Sequence, residues 1–152
     1  MNRNGAGWIV LRVCIGMFFL FEGIGKIGWF THPAILAGQL STWMQAAPAG
    51  SISRVYLERI AMPYEPIFAR LVPLGELTCG LGLIAGYGTR LFALIAFIMA
   101  LNFHVAGGTL FKYAFLTNGY GLPVLGSTLA LALSPPSARV PRPKRGVRSE
   151  VS

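Results

Sequence analysis

The sequence predicts an all-α integral membrane protein: a four-helix bundle with an extracytoplasmic loop that carries short amphipathic helices between spans one and two. Composition, the length of the apolar runs and the scarcity of charge all lead there. Of 152 residues, 54% are hydrophobic and 12% charged, and mean hydropathy is +0.60. Soluble domains carry about twice that share of charge, roughly 25%. A chain this apolar has more hydrophobic surface than one small soluble core can bury, so the lipid bilayer is its expected solvent. The four-span domain is expected over residues 1–134, and a basic tail over 135–152.

Span one is expected over Gly7–Trp29, with Arg12 near its start and Glu22 and Lys26 near its end. Its opening, Arg3 and then an apolar run from Trp8 to Phe21, looks like a secretion signal. The run continues into Glu22 and Gly23 without a small-residue cleavage site, so an uncleaved span is expected. The Thr31-His32-Pro33 stretch breaks the helix, because proline disfavours helical geometry in the residue before it. Residues 31–66 are the polar loop, with Pro33, Pro48, Pro63 and Pro66 and charges at Arg54, Glu58, Arg59 and Glu65. Within it, Ala34–Ala46 and Ile52–Ala61 read as short amphipathic helices lying on the surface. Ser51 or Ser53 is the expected cap of the second. A loop this long usually covers something or serves function.

Span two is expected over Ile67–Tyr87, containing Arg70, Pro73, Glu76 and Cys79. Gly75, Cys79, Gly82 and Gly86 form a small-residue stripe at helical spacing, which lets a neighbouring helix come close. Gly88-Thr89-Arg90 makes a tight turn into span three, Leu91–Gly108, which holds Asn102 and His104. Span four is expected over Ala114–Leu133, its first turn disturbed by Asn118, Gly119 and Gly121 and its end set by Pro135-Pro136.

The formal charge of +8 does not indicate nucleic acid, because five of the thirteen basic residues fall in the last fourteen positions: Arg139, Arg142, Lys144, Arg145 and Arg148. The tail over 135–152 also contains Pro135, Pro136, Pro141 and Pro143, which predicts an extended or disordered segment able to touch anionic lipid headgroups. With the tail, Arg3 and Arg90 on one side, the positive-inside rule places both termini in the cytoplasm and the 31–66 loop outside. The expected location is the bacterial cytoplasmic membrane.

Glu22, Glu76 and His104 are the most informative residues. Burying charge in hydrocarbon costs a few kcal/mol or more per group, so such residues face a bundle interior, pair with one another or line a substrate or proton path. At a rise of 1.5 Å per residue, they lie about 22, 16 and 20 Å from the inner ends of their spans. Lys26, Arg70 and Asn118 fall nearer the outer surface, so one polar layer is expected in the outer half of the bundle. Ligand or proton-path candidates are therefore Glu22, Lys26, Glu76, His104 and Asn118.

Each candidate has a plainer reading beside the functional one. Glu22 and Lys26 are four apart, share a helix face and can pair, which alone makes Glu22 tolerable in lipid. Glu76 has no basic residue four away. Either another helix supplies a cation, from Arg12 or Lys26, or His104 partners it, or it stays protonated as a hydrogen-bond donor; the last is the expectation here. Arg70, six residues away, lies on a different face. His104 is a general acid or base, a donor to a quinone carbonyl, or a pigment or haem ligand, against the commoner role of a hydrogen-bonded packing residue. Two-histidine haem ligation would require His32, beyond the end of span one.

Cys14 and Cys79 lie at similar depth, but no Cys-x-x-Cys pair, disulfide framework or zinc spacing exists, so small buried hydrophobes are the default and no metal is predicted. Gly23-Ile-Gly-Lys-Ile-Gly28 matches a dinucleotide fingerprint, but the glycines end a helix rather than open one, so packing explains them better.

Leu11-Arg12, Gly16, Phe19-Leu20, Glu22-Gly23 and Gly25-Lys26 resemble the first span of the DoxX-like family. Pro73-Leu74-Gly75-Glu76-Leu77, Gly80-Leu81-Gly82-Leu83 and Gly88-Thr89-Arg90-Leu91 resemble its second span, turn and third span. Asn118-Gly119 before a last span also fits. The resemblance runs over about residues 8–134 and is closest to the DoxD branch, which includes the small hydrophobic subunit of thiosulfate:quinone oxidoreductase. It implies a four-helix membrane protein that partners other subunits in a redox complex. It also implies that Arg12, Glu22, Lys26, Glu76 and Arg90 are the characteristic polar positions. Separately from the resemblance, structural roles are expected for Arg12, Arg70 and Arg90. The chain carries no thiosulfate-binding cluster or redox-cofactor motif, which speaks against catalysis by it alone.

Two functional expectations follow. One is a quinone-contacting membrane subunit of an oxidoreductase. The other is a non-catalytic accessory subunit that packs against a larger respiratory or photosynthetic complex and binds lipid or pigment.

Overall fold

A computed structural model describes residues 3–134. The basic tail, its expected disorder and its lipid contact lie outside the described residues. Among the described residues all regular structure is helical. Helices α1 (Arg3–Gly25), α4 (Glu65–Ala85) and α5 (Thr89–Ala106) are long and apolar enough to cross a membrane. Between them lie a 3-10 turn at Ile27–Phe30, helix α2 (Ala34–Ala46) and helix α3 (Ile52–Tyr56), which widens into a π turn at Leu57–Ala61. The chain then closes with α6 (Tyr113–Thr117) and α7 (Leu122–Leu133).

The expected continuous span over Ala114–Leu133 is divided. Asn118 is the cause: its Oδ1 accepts hydrogen bonds from the backbone N–H groups of Tyr120 at 2.9 Å and Gly121 at 2.8 Å. This side-chain turn competes with helical bonding. Gly121 then passes so close to the Phe115 carbonyl that a Cβ would lie 2.0 Å from its oxygen. Helix α7 keeps 12 residues, a rise of about 18 Å against roughly 30 Å of hydrocarbon.

Helix α1 lies along α4, and α5 packs between α4 and α7. The glycines that set these approaches differ from the expected single stripe. A Cβ on Gly80 would lie 2.6 Å from the Leu20 backbone nitrogen, and one on Gly16 2.9 Å from that of Ile84, so Gly80 and Gly16 bring α1 and α4 together. Gly75 and Gly82 instead receive Met99 and Phe92 of α5, and Gly86 lies under the Arg12 guanidinium. The resulting core joins Ile15 and Phe19 to Cys79, Leu83, Ala93, Ala96, Val124 and Leu131. The opposite faces carry exposed Val10, Phe21, Leu71, Leu81, Leu91 and Ile98, a surface suited to acyl chains.

The loop helices have the predicted bounds but are packed, not merely laid down. Leu36, Leu40, Leu57 and Ala61 form a second core with Ala69 of α4 and Ala106 of α5. Ser51 caps α3 by accepting from the Arg54 N–H at 3.2 Å. Ser53 serves tertiary packing instead, because it is buried and donates to the Ala106 carbonyl at 2.7 Å. Tyr56 donates to Oδ1 of Asn102 on α5. The loop thereby closes the end of the bundle at which α1 and α5 finish.

Candidate functional site

Close helix approach creates the site. A Cβ on Gly23 would lie 2.9 Å from the Leu77 backbone nitrogen and 3.1 Å from the Glu76 Cβ. Only glycine lets α1 sit this near α4, and this contact brings Lys26, just past the end of α1, within reach of Glu76. The Lys26 ammonium donates to Glu22 Oε2 at 2.7 Å and to Glu76 Oε1 at 2.9 Å. A longer contact of 3.4 Å reaches the Glu22 carbonyl. The sequence expectation that Glu76 has no cation partner is therefore corrected: Lys26, just past the end of α1, pairs with it. The remaining oxygen, Glu76 Oε2, is buried without a hydrogen-bond partner among the described residues.

This triad forms the polar end of a cavity of about 260 Å³. Phe18 and Phe19 of α1, Trp29 of the 3-10 turn, Trp43 of α2, Phe103 of α5 and Tyr120 make the aromatic wall. The Lys26 ammonium stands 5.9 Å from the Trp29 ring centroid and 5.6 Å from that of Phe103, within cation–π range. Gln39 and Trp43 reach the cavity from the loop helix α2.

His104 lines the same cavity, but both of its ring nitrogens are engaged. Nε2 is 2.9 Å from the Tyr120 carbonyl oxygen, which only accepts, so Nε2 carries the proton. Nδ1 is then free to accept from the Thr109 hydroxyl at 2.9 Å. The ring also packs edge-on against Phe115 at 4.9 Å. His32 is exposed and meets Thr31 Oγ1 at 2.9 Å, away from the cavity. Haem or pigment ligation by His104 would break a hydrogen bond, and His32 is not placed as a second ligand.

The expected polar layer gathers only in part. Glu22, Lys26, Glu76 and His104 converge. Asn118 is exposed and serves the turn before α7. Arg70 is exposed and donates to the Pro66 carbonyl on its own helix at 3.1 Å. Arg12 lies over Gly86, at the C-terminal end of α4, and Arg90 donates to the Ala132 carbonyl at 3.2 Å, so both brace the opposite end of the bundle. Cys14 faces outward and Cys79 is buried, both as free thiols. The aromatic wall had no individual sequence signal beyond the four-residue spacing of Gln39 and Trp43, which puts them on one helix face.

Among curated proteins and solved structures, none matches the chain. The DoxX family model matches residues 7–108, about two thirds of the sequence. The matched segment carries Glu22, Lys26, Glu76 and His104 together with the three long apolar helices. This integral membrane chain belongs to the DoxX family.

Proposed function

We propose that the protein is a quinone-contacting membrane subunit of a redox complex, as its DoxD-like residues imply, with the quinone head group in the aromatic cavity beside Glu76. The observation that carries this reading is Glu76 Oε2, a buried polar atom without a partner at the end of an otherwise aromatic chamber. Buried polar groups are nearly always paired, so an unpaired one marks a place where a ligand group completes the set. The volume lies a little below the roughly 300–1,000 Å³ of drug-sized sites, which suits a single-ring head group whose tail remains in lipid. In the proposed arrangement α6 and α7 complete a fourth crossing, both termini are cytoplasmic and the loop helices cap the outer end. Electron transfer would come from partner subunits.

The test is extraction of lipophilic compounds from protein purified in mild detergent, with the compounds and any co-purifying subunits identified by mass. A quinone recovered in near-stoichiometric amount is expected, and reduced in Trp43→Ala. Its absence, with no uptake of added quinone, overturns the reading.

A second reading, a non-catalytic accessory subunit, draws on the fact that Lys26 and both His104 nitrogens already have partners. It expects partner association and complex activity to survive Glu76→Gln unchanged.

A further inference from the structure

We infer that the end of the bundle opposite the cavity holds the phosphate of an anionic phospholipid between Arg12 and Arg90. This stands apart from the quinone reading. Arg12 carries it. Its Nε is buried and has no hydrogen-bond partner among the described residues. Its guanidinium lies over Gly86, where a Cβ would come within 2.0 Å of Nη1. Gly86, at φ 76°, is the left-handed cap of α4, so glycine serves both the turn and the space for this side chain. The partial negative charge at the end of α4 favours a cation there. It does not pair the buried Nε, and buried polar groups are nearly always paired.

The described carboxylates lie elsewhere. Lys26 holds Glu22 and Glu76 beside the cavity, and Glu58 pairs with Arg54 on the loop. Glu65 opens α4, about 30 Å along the helix from Gly86. Arg12 joins Trp8, Ile9, Thr89, Leu131 and Ser134 around a space of about 10 Å³. A volume of that order takes one oxygen atom and not a whole phosphate. Arg90 stands beside it, next to Thr89 in the chain and bonded through Nε to the Ala132 carbonyl at 3.2 Å. One phosphoryl oxygen therefore enters beside Arg12, and the others remain at the surface, where Arg90 is exposed. Guanidinium groups suit this ligand, because their planar N–H forks match phosphate oxygens. Tyr87, Leu91 and Leu133, near these residues in the chain, are exposed. They offer acyl chains an apolar surface, which favours a phospholipid over free phosphate. Basic pockets between membrane helices take anionic headgroups in this way.

The experiment places the full chain in nanodiscs of equal phosphatidylglycerol and phosphatidylcholine and identifies the lipids it retains by native mass spectrometry. One phosphatidylglycerol per chain is expected, retained at least about tenfold over phosphatidylcholine. Arg12→Gln should remove most of that preference. Arg90→Gln, at an exposed position, should lower it severalfold, and this arm stands if Arg12→Gln does not fold. The chain without residues 139–152, and so without Glu150, should keep the preference. Equal retention of the two lipids overturns the inference, as does a preference that neither arginine variant changes. A preference lost with the tail would assign the lipid to the tail, and one that appears only without the tail would put Glu150 in the site; either overturns it. Inorganic phosphate, added to the protein in phosphatidylcholine nanodiscs, should leave the thermal midpoint unchanged. Stabilisation equal to that given by phosphatidylglycerol would assign the site to free phosphate and overturn the lipid source.

Discussion

Lys26 is the residue on which the polar layer depends, because from just past the end of α1 it serves both Glu22 of that helix and Glu76 of α4. Removing it leaves two carboxylates facing each other across the α1–α4 contact. Breaking a buried ion pair by deleting one partner costs about 3–5 kcal/mol, because the surviving charge stays desolvated. Glu22 is 35% exposed and relaxes toward water or headgroups, so the low end, about 3 kcal/mol, is expected for Lys26→Met. Thermal unfolding in detergent should show a lowered midpoint, with part of the loss recovered in Lys26→Met combined with Glu76→Gln. A single variant as stable as the parent would show that the ammonium contributes little. The i,i+4 pairing of Glu22 with Lys26 was legible from spacing. The bond to Glu76 was not, because it connects residues fifty apart and depends on how closely two helices approach.

That approach belongs to the helices as elements, and glycine governs it. Membrane helices associate through packing, since lipid tails are as apolar as leucine and no hydrophobic force drives them together. Gly80→Ala puts a methyl 2.6 Å from the Leu20 backbone nitrogen, where no side chain can yield, so α1 must move off α4. The expected cost is about 1–3 kcal/mol in thermal unfolding. Gly126, within α7, has open space around its absent Cβ, so Gly126→Ala should be neutral or stabilise by up to about 1 kcal/mol. The sequence announced small residues at helical spacing but not which neighbour each one meets, and the expected stripe is shared between α1 and α5. The loop helices were legible in their bounds, since proline and capping serine set them locally. Their anchoring was not: Tyr56 clamps α3 to Asn102 through its phenol proton. Burial raises the Tyr56 phenol above its ordinary value of 10.0. The contribution of the protonated phenol is complete below pH 10.0 and is lost as pH rises through the higher folded value. Absorbance titration should find a tyrosine ionising above pH 10.0, together with increased hydrogen exchange in α3, and Tyr56→Phe should lack this alkaline step. Ionisation of Tyr56 at its ordinary value of 10.0, with α3 exchange unchanged, would show that the clamp does not hold the loop.

For the whole molecule, the membrane class was legible because composition and apolar run length are properties of the chain itself. The last apolar stretch, about Ala114–Leu133, read as one crossing because hydropathy does not register an asparagine side chain that bonds the backbone ahead of it. Orientation relies on charge at the two ends of the bundle. Arg12 and Arg90 brace one end, while α2 and α3, with Arg54 and Arg59, close the other. Counting Arg3, Arg90 and the five basic residues of the tail against Arg54, Arg59, Arg70 and Lys112, the rule for basic flanks predicts that the loop end is outside. Single cysteines test this in intact cells, after Cys14 and Cys79 are replaced by alanine. Ala49 is a better loop position than Ser51, because it is exposed and Ser51 caps α3. Ala49→Cys should react with an impermeant maleimide, and Ser149→Cys should react only after the cells are permeabilised. The reverse pattern would place the loop helices in the cytoplasm and the cavity near the inner surface. Labelling of both in intact cells would mean the C-terminus lies outside with the loop, and that α6 and α7 do not complete a crossing in the way proposed.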